Sequence, residues 1–374
     1  MINKISLILT YYNEEKNINK TLKNIFSQTL LPDELIFINS GSIDESKKKI
    51  ENFLKKEKTK IKNYNFSLNT DLPSTSKNMG IQVSNNNLIA FMDFGLNFNK
   101  DWLKRQFDVL NKKKLDAVIG TVKLSGYSLF DKASVINTYG NKNFSPCIPG
   151  SLIKKKIFYD LGFFEKSRSL YDVLWKEKIF KSNLNYQVNK TNPLTYHGVN
   201  YSNNFKSLLL KSYLYSSDKI NLIKNPRTIF YLIIPFITLF LFFIKINYLY
   251  YLLLTYLIIR LLNIFYKNNL NHLFNIKFLF LLLITSLIID IGRFFGAVKA
   301  FLFKIGINNI IALFLLIYFI IFNTPIISIM ASNLIASKTI LSNKNYDAIV
   351  VFSGDGKTAY TNDTYRQRAL DAIE

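Results

Sequence analysis

LIAFMDFGLNFNKDW, residues 88–102, begins as a strand and ends as the start of a helix. Leu88, Ile89, Ala90, Phe91 and Met92 form an uninterrupted apolar run, as a strand covered on both faces requires. The run delivers one carboxylate, Asp93, to its C-terminal tip. A short loop with Gly95, Asn97 and Asn99 follows, and a helix is expected from about Asp101. In an open α/β sheet, the carboxyl ends of the strands are where charge is presented to a ligand.

The residues upstream repeat the pattern. Ile5 to Thr10 reads as a first strand, and residues 14–28 place Ile18, Leu22, Ile25 and Phe26 on one helical face. Leu35 to Ile38 reads as a second strand, ending at Asn39-Ser40-Gly41-Ser42. Residues 43–54 are expected to be helical, with Ile43, Ile50, Phe53 and Leu54 on one side. A third strand fits 61–66 and a further helix 74–84. Strands and helices in alternation, with near-continuous apolar strands, predict an α/β fold with a mostly parallel sheet and helices on both faces. Thr10, Asn39 and Asp93 then all fall at strand tips. Each alone is an ordinary helix-capping type; three together, beside Gly41 and Ser42, point to a ligand site.

Bulk properties narrow the function. The chain has 374 residues and a formal charge of +23, from 48 basic against 25 acidic side chains. Its lysines lie in scattered runs on solvated faces, without an aromatic-interleaved basic stripe or zinc-type spacing, so no nucleic-acid partner is expected. Cys147 is the single cysteine, which excludes an intrachain disulfide. The first apolar run, residues 5–9, is too short for a signal peptide, so the N-terminal part is expected to be cytoplasmic.

From Thr228 to about Ile335 the composition changes to Leu, Ile, Phe and Tyr. Four apolar stretches stand out: 228–244, 248–265, 276–291 and 309–330. Spanning a bilayer takes roughly 18 residues or more, so 276–291 is short and is expected to be re-entrant or interfacial. Asp290 and Arg293 can pair at helical spacing, and the following GRFFGAVKAFLFK looks amphipathic. Positive-inside flanking favours three crossings.

The N-terminal motifs resemble those of family 2 glycosyltransferases of the GT-A fold, a Rossmann-like α/β architecture. The likeness is carried by ISLILTYYNEEKNINKTLKNIFSQTLLPDELIFINSGSIDES (5–46), STSKNMGI (74–81), IAFMDFG (89–95) and PGSLIKKKIFYDLGFFEKSRSLYDVLWKEKI (149–179). Four motifs in the right order cover roughly residues 4–200. The resemblance implies an inverting transfer from a nucleotide-diphosphate sugar. Thr10 and Tyr12 would frame the nucleoside, with Glu14 and Ser42 completing the donor-binding set. Asn39 stands where an acid usually bonds the base, and Lys77 where an arginine usually approaches the donor. Asp93 would hold Mg²⁺ or Mn²⁺, although the family's second acid is replaced by Gly95, with Asn97 a further oxygen donor. Asp172 matches the general base, preceded by Tyr171 in place of a glutamate. Pro149-Gly150-Ser151 resembles the turn lining the acceptor side. Trp102 is expected to pack its helix, His197 to be structural, and Tyr127 or Tyr139 could stack on a sugar.

The expected organisation is therefore a GT-A domain over 1–225, transmembrane helices over 226–335, and a short tail over 336–374. The tail, NYDAIVVFSG followed by an Arg-bearing helix start, resembles the opening of a YdcF-like envelope domain. A multi-pass protein of the inner (cytoplasmic) membrane is expected, with its catalytic domain cytoplasmic and a lipid-linked or glycan acceptor in cell-envelope polysaccharide or glycolipid synthesis. Lys219, Lys224 and Arg227 would flank the first span. A polyprenyl-phosphate acceptor and an inactive GT-A scaffold are the alternatives.

Overall fold

A computed structural model describes residues 4–57, 61–70, 72–140, 142, 144–197, 204–218, 225–244, 247–268 and 276–305. The chain divides into two compact units, Met1–Phe314 and Leu315–Glu374, and every described residue lies in the first. The expected fourth apolar stretch, the YdcF-like tail, Lys219 and Lys224 fall outside the described residues.

Three strands form the centre of the sheet: β1 (Ile5–Tyr11), β2 (Glu34–Asn39) and β4 (Leu88–Asp93). They are parallel, with β1 between the other two. Beyond β2 lies β3 (Lys62–Ser67), a parallel edge strand whose residues are mostly exposed. Beyond β4 the sheet turns mixed. There β7 (Ser145–Lys154) runs antiparallel between β4 and β6 (Ala117–Ser125). Short strands β8 (Tyr186–Val188) and β9 (Leu194–His197) lie parallel to β6, and β5 (Leu96–Asn97) closes antiparallel on β9.

Alternation along the central strands sorts side chains to two apolar layers. Leu7, Leu9, Leu35, Phe37, Ala90 and Met92 face one layer. It is covered by α1 (Ile18–Phe26), α2 (Ser46–Glu57) and α4 (Trp102–Lys112). Ile8, Ile36, Ile38, Ile89 and Phe91 face the other. That face carries α3 (Pro73–Val83), α6 (Lys156–Asp160) and α7 (Tyr171–Lys181). The Phe158 and Trp175 rings stack there at 4.4 Å. Full burial of each such side chain is worth roughly 1.5–3 kcal/mol, so both faces stabilise the same parallel core.

The expected helix boundaries shift at both N-termini. Asn13 takes a left-handed φ of 54°, and Glu14 O accepts from Asn17 N at 2.8 Å, so residues 14–17 are a turn and α1 starts at Ile18. Asp44 Oδ1 accepts from Ser46 N at 3.1 Å, so α2 begins there and leaves Ile43 outside it, 89% exposed rather than on the apolar face. Pro149, Gly150 and Ser151 are not in a turn but inside β7, where Ser151 is fully buried.

The apolar part is joined to the sheet by α5 (Leu129–Thr138) and α8 (Phe205–Ser216). Three helices follow: α9 (Pro226–Ile244), α10 (Asn247–Lys267) and α11 (Ile276–Ile305). Residues 276–291 and the segment after them are one continuous helix, not a short stretch plus an amphipathic piece. Thirty residues at 1.5 Å rise span about 45 Å. Within this helix, the charge of Asp290 finds partners on α9 and α10. Asn137 of α5 donates to Leu282 O and Thr285 Oγ1 of α11, each at 2.8 Å. A Cβ at Gly292 or Gly296 would come within 2.6 Å of Leu209 O or 2.5 Å of Tyr213 O, so these glycines let α11 lie directly on α8. Among the described residues two stretches are long and apolar enough to cross a membrane, Asn247–Lys267 and Ile276–Phe303, with mean hydropathy 1.6 and 2.1.

Candidate active site

Parallel register carries the C-terminal tips of β1, β2 and β4 to one edge. Thr10 lies opposite Asp93, and Tyr11 opposite Asn39. From α3, Lys77 reaches beneath this edge. Its Nζ donates to Asp93 Oδ1 at 2.8 Å and to Thr10 Oγ1 at 3.2 Å. Lys77 is 3% exposed and the Asp93 side chain 40% exposed, so a buried cation supports a carboxylate open to solvent. Burial alone would depress the Lys77 ammonium, but Asp93, Tyr171 and Asp172 outweigh it and hold the pKa well above the ordinary lysine range.

Two loops are locked around this pair. Asn39 Oδ1 accepts from Ser42 N at 2.8 Å, and Ser42 Oγ accepts from Asn13 N at 3.0 Å. Asn13 Oδ1 in turn accepts from Ile43 N at 3.0 Å, and Ser40 Oγ meets Ser76 Oγ at 2.7 Å. Asn39 and Ser42 therefore brace the loop after β2 against the turn after β1. On the other side, Ser74 exchanges hydrogen bonds with Ser167, and Asn78 with Phe164. These tie α3 to the loop that leads into α7. Leu170, at φ 64°, turns the chain into that helix.

Asp172 stands in the first turn of α7, within electrostatic reach of Lys77. Lys176 Nζ lies 3.5 Å from Asp172 Oδ2 and also donates to Pro146 O, fixing the acid end of α7 against β7. Burial pushes the Tyr171 phenol well above its usual range. Cys147 is buried close by, and burial, with Asp93 and Asp172 adding to it against Lys176, pushes its thiol up and keeps it protonated.

Of the residues singled out in the sequence, Lys77 touches both Thr10 and Asp93, and Asp172 lies within electrostatic reach of Lys77. Tyr12 is 56% exposed at the rim, while Tyr11 is buried and its OH donates to Asn65 Oδ1 at 3.1 Å. Glu14 N donates to Ser46 Oγ at 2.8 Å, and its Oε2 accepts from Asn17 Nδ2 at 2.7 Å. Burial first, then Asp93 and Asp44, push the Glu14 carboxyl up to about 7, against the Asn17 hydrogen bond and Lys211. Lys211, on α8, was not legible as a site residue: burial depresses its ammonium and Glu14 opposes that. Trp102 packs as expected, 1% exposed, with Nε1 donating to Gly150 O at 3.2 Å. His197 ends β9 opposite Ser125, and Tyr127 and Tyr139 lie on the surface.

The donor set available to a divalent ion is small. Among the described residues no three His, Cys, Asp or Glu side chains gather at one point. Gly95 has φ +81°, and a Cβ there would stand 3.2 Å from Asn17 Nδ2, so position 95 is shaped for glycine. Asn97 lies in β5, opposite Thr195. One carboxylate, with Oδ1 held by Lys77, fits an Mg²⁺-type ion bound mainly through a ligand's phosphates and water. It does not fit an all-protein cage.

With this geometry in hand, residues 6–180 match the family model described as Glycosyl transferase family 2. The chain carries a glycosyltransferase family 2 domain. Its sheet is mixed, parallel across β3, β2, β1 and β4 and antiparallel at β7. An uncharacterized glycosyltransferase of Haemophilus influenzae is 29% identical over 111 residues, covering 30% of this chain and 44% of the relative. Glycosyltransferase AglE of Haloferax volcanii is 27% identical over 125 residues, covering 32% and 40%. The chain thus spans less than half the length of these curated relatives. Among solved structures, S. aureus TarS 1-349 in complex with UDP-GlcNAc aligns with TM-score 0.41 and 17% identity over 56% of this chain and 65% of that one. The mannosyltransferase PcManGT from Pyrobaculum calidifontis, in complex with GDP-Man and Mn²⁺, aligns with TM-score 0.44 and 15% identity over 56% and 61%.

Proposed function

We propose that the chain is an inverting glycosyltransferase. It takes a sugar from a nucleotide-diphosphate donor and passes it to a membrane-proximal acceptor hydroxyl or phosphate. The observation that carries this reading is the Lys77–Asp93–Thr10 cluster at the strand tips, with Asp172 in electrostatic reach of Lys77.

In this reading the nucleoside lies along the β1 and β2 tips, between Tyr12 and Asn39. The Asn39 amide retains N–H donors for a base edge, since its oxygen is committed to Ser42. The donor diphosphate lies over Asp93 and Lys77. Asp93 would hold Mg²⁺ or Mn²⁺ together with the diphosphate, and the bound ion supplies charge neutralisation to the departing nucleotide. Lys77 stays protonated at any physiological pH, fixes the Asp93 carboxylate, and contributes positive potential under the diphosphate. Asp172 takes the proton from an acceptor hydroxyl as that oxygen attacks the anomeric carbon. The anomeric carbon–diphosphate bond breaks with its electron pair leaving on the diphosphate, so one displacement inverts the centre. Lys176 positions Asp172 for this step. With α10 and α11 in the bilayer, the family 2 domain sits at the cytoplasmic surface of the inner membrane, where envelope glycan or glycolipid acceptors are held.

The test is a transfer assay with the full chain in nanodiscs, offering UDP-, GDP- and dTDP-sugars and membrane lipid extract. Nucleotide release coupled to a glycosylated product of inverted anomeric configuration, seen by NMR, supports the reading. Product with retained configuration contradicts the single displacement. A folded protein that neither binds a donor nor releases nucleotide favours the scaffold alternative, which Gly95 and Tyr171 would then explain.

A further inference from the structure

Outside the strand-tip site, three apolar helices converge on one ionised cluster. Asp290 of α11 is 9% exposed. Tyr231 OH of α9 donates to its Oδ1 at 2.5 Å, and Tyr256 OH of α10 donates to its Oδ2 at 2.9 Å. Arg260 of α10 donates to the same Oδ2, so the carboxylate is fully engaged by close partners from two other helices.

Arg293 is the member left over. One turn along α11, its Nη1 lies 3.8 Å from Asp290 Oδ1 and 3.3 Å from Tyr231 OH, its polar contacts among the described residues. Two guanidiniums therefore stand against one carboxylate, a net charge of +1 among apolar helices. Arg260 takes the close pairing, and Arg293 makes only long contacts, with 29% of its side chain exposed. A cation in such surroundings is costly without a counter-anion. A guanidinium presents its donors in a planar fork that matches phosphate oxygens.

The place of Arg293 connects it to the strand-tip site. Its neighbours Gly292 and Gly296 lie against the backbone of α8. The same α8 carries Lys211, which faces Glu14, and Tyr215, whose carbonyl accepts from Ser169 Oγ at 2.8 Å just before α7. Further along α11, Lys299 lies 5.3 Å from the centre of the Tyr213 ring. Through α8, the helix that bears Arg293 is thus packed against the element that meets both Glu14 and the segment before α7.

We propose that Arg293, held by Tyr231 and the Asp290–Arg260 pair, binds the phosphate of a lipid that enters along the apolar helices. The inference deepens the proposed function by naming a phosphate-bearing lipid on the acceptor side, and it rests on these helices lying in a bilayer.

The test uses the full chain in nanodiscs, with binding followed by native mass spectrometry. The probes are a long-chain prenyl monophosphate, the prenyl alcohol of the same length, and inorganic phosphate. Wild-type protein is expected to retain the prenyl monophosphate and not the alcohol. Arg293→Gln, which keeps a donor for Tyr231 and leaves Asp290 paired with Arg260, is expected to weaken retention about tenfold or more. Arg293→Lys is expected to restore part of it, since the charge returns without the fork. Equal retention of alcohol and monophosphate, or undiminished retention by a folded Arg293→Gln protein, overturns the proposal. Inorganic phosphate bound as tightly as the lipid would make this a free-phosphate site and overturn the lipid assignment. Nucleotide binding measured on the same samples reports the transferase reading separately: it should be equal in wild type and Arg293→Gln, and its absence from both would count against that reading alone.

Discussion

Lys77 Nζ stands 2.8 Å from Asp93 Oδ1, with the lysine sealed beneath the sheet edge and the carboxylate open above it. This pair fixes one Asp93 oxygen from within while the carboxylate keeps 40% exposure. Lys77→Met strips that support while keeping the apolar volume. The expected loss is about 2 kcal/mol, less than for a fully buried pair because water reaches Asp93. Chemical denaturation of the two proteins side by side checks the figure, and unchanged midpoints would mean the pair holds nothing.

Glu14 makes stability depend on pH. Its carboxyl titrates near 7 in the fold against an ordinary 4.5, because burial and the nearby Asp93 and Asp44 disfavour the charge. The folded state therefore binds more protons than the unfolded state between these values. Stability from this group is complete below about 4.5 and is lost as pH rises through about 7, with an upper bound near 3 kcal/mol. Glu14→Gln keeps an oxygen for Asn17 and removes the charge. Melting curves across this range should flatten in the variant, which should also be the more stable protein at pH 8.

Gly95 falls where the sequence resemblance leads us to expect a second acid, and its backbone makes an acid there expensive. At φ +81° a side chain is strained, and its Cβ would crowd Asn17 Nδ2. Gly95→Asp is expected to cost about 1–3 kcal/mol of stability, measured as a fall in melting temperature without ligand. An undiminished melting temperature would show that the turn accommodates an acid freely.

In the proposed mechanism Asp172 acts apart from donor binding. Asp172→Asn preserves size and keeps an oxygen facing Lys176, but it cannot take a proton. The expected result is a drop in kcat of roughly 10²–10⁴-fold with donor affinity unchanged. An equal fall in donor affinity would place Asp172 at the donor instead.

Much of this arrangement was legible in the sequence, for identifiable reasons. Residues 88–93 read correctly because a strand buried on both faces must be apolar throughout and must expose its first acid at the tip. Thr10, Asn39 and Asp93 converge because parallel register puts every strand's C-terminus on one edge. Ile43 misled, since its apolar side chain suggested a helix face while Asp44 and Ser46 were already setting the cap. Pro149-Gly150-Ser151 looked like a turn, but β6 and β7 shift register there and absorb the glycine within the strand. The split of α11 failed for another reason. Residues 276–291 looked short for a crossing with Asp290 paired only to Arg293, because its partners from α9 and α10 lie dozens of residues away. Lys211 carried no local signal at all, because its proximity to Glu14 depends on how α8 docks.

In the proposed function the β1, β2 and β4 tips form a nucleotide-sugar donor site around Asp93 and Lys77. Calorimetric titration of the full chain with UDP, GDP and dTDP, with and without Mn²⁺, addresses it most directly. One nucleotide should bind, more tightly with Mn²⁺, and Asp93→Ala should abolish the metal-dependent part while the protein stays folded. Binding of the same strength in Asp93→Ala, or no binding of any of the three by folded wild-type protein, would contradict it.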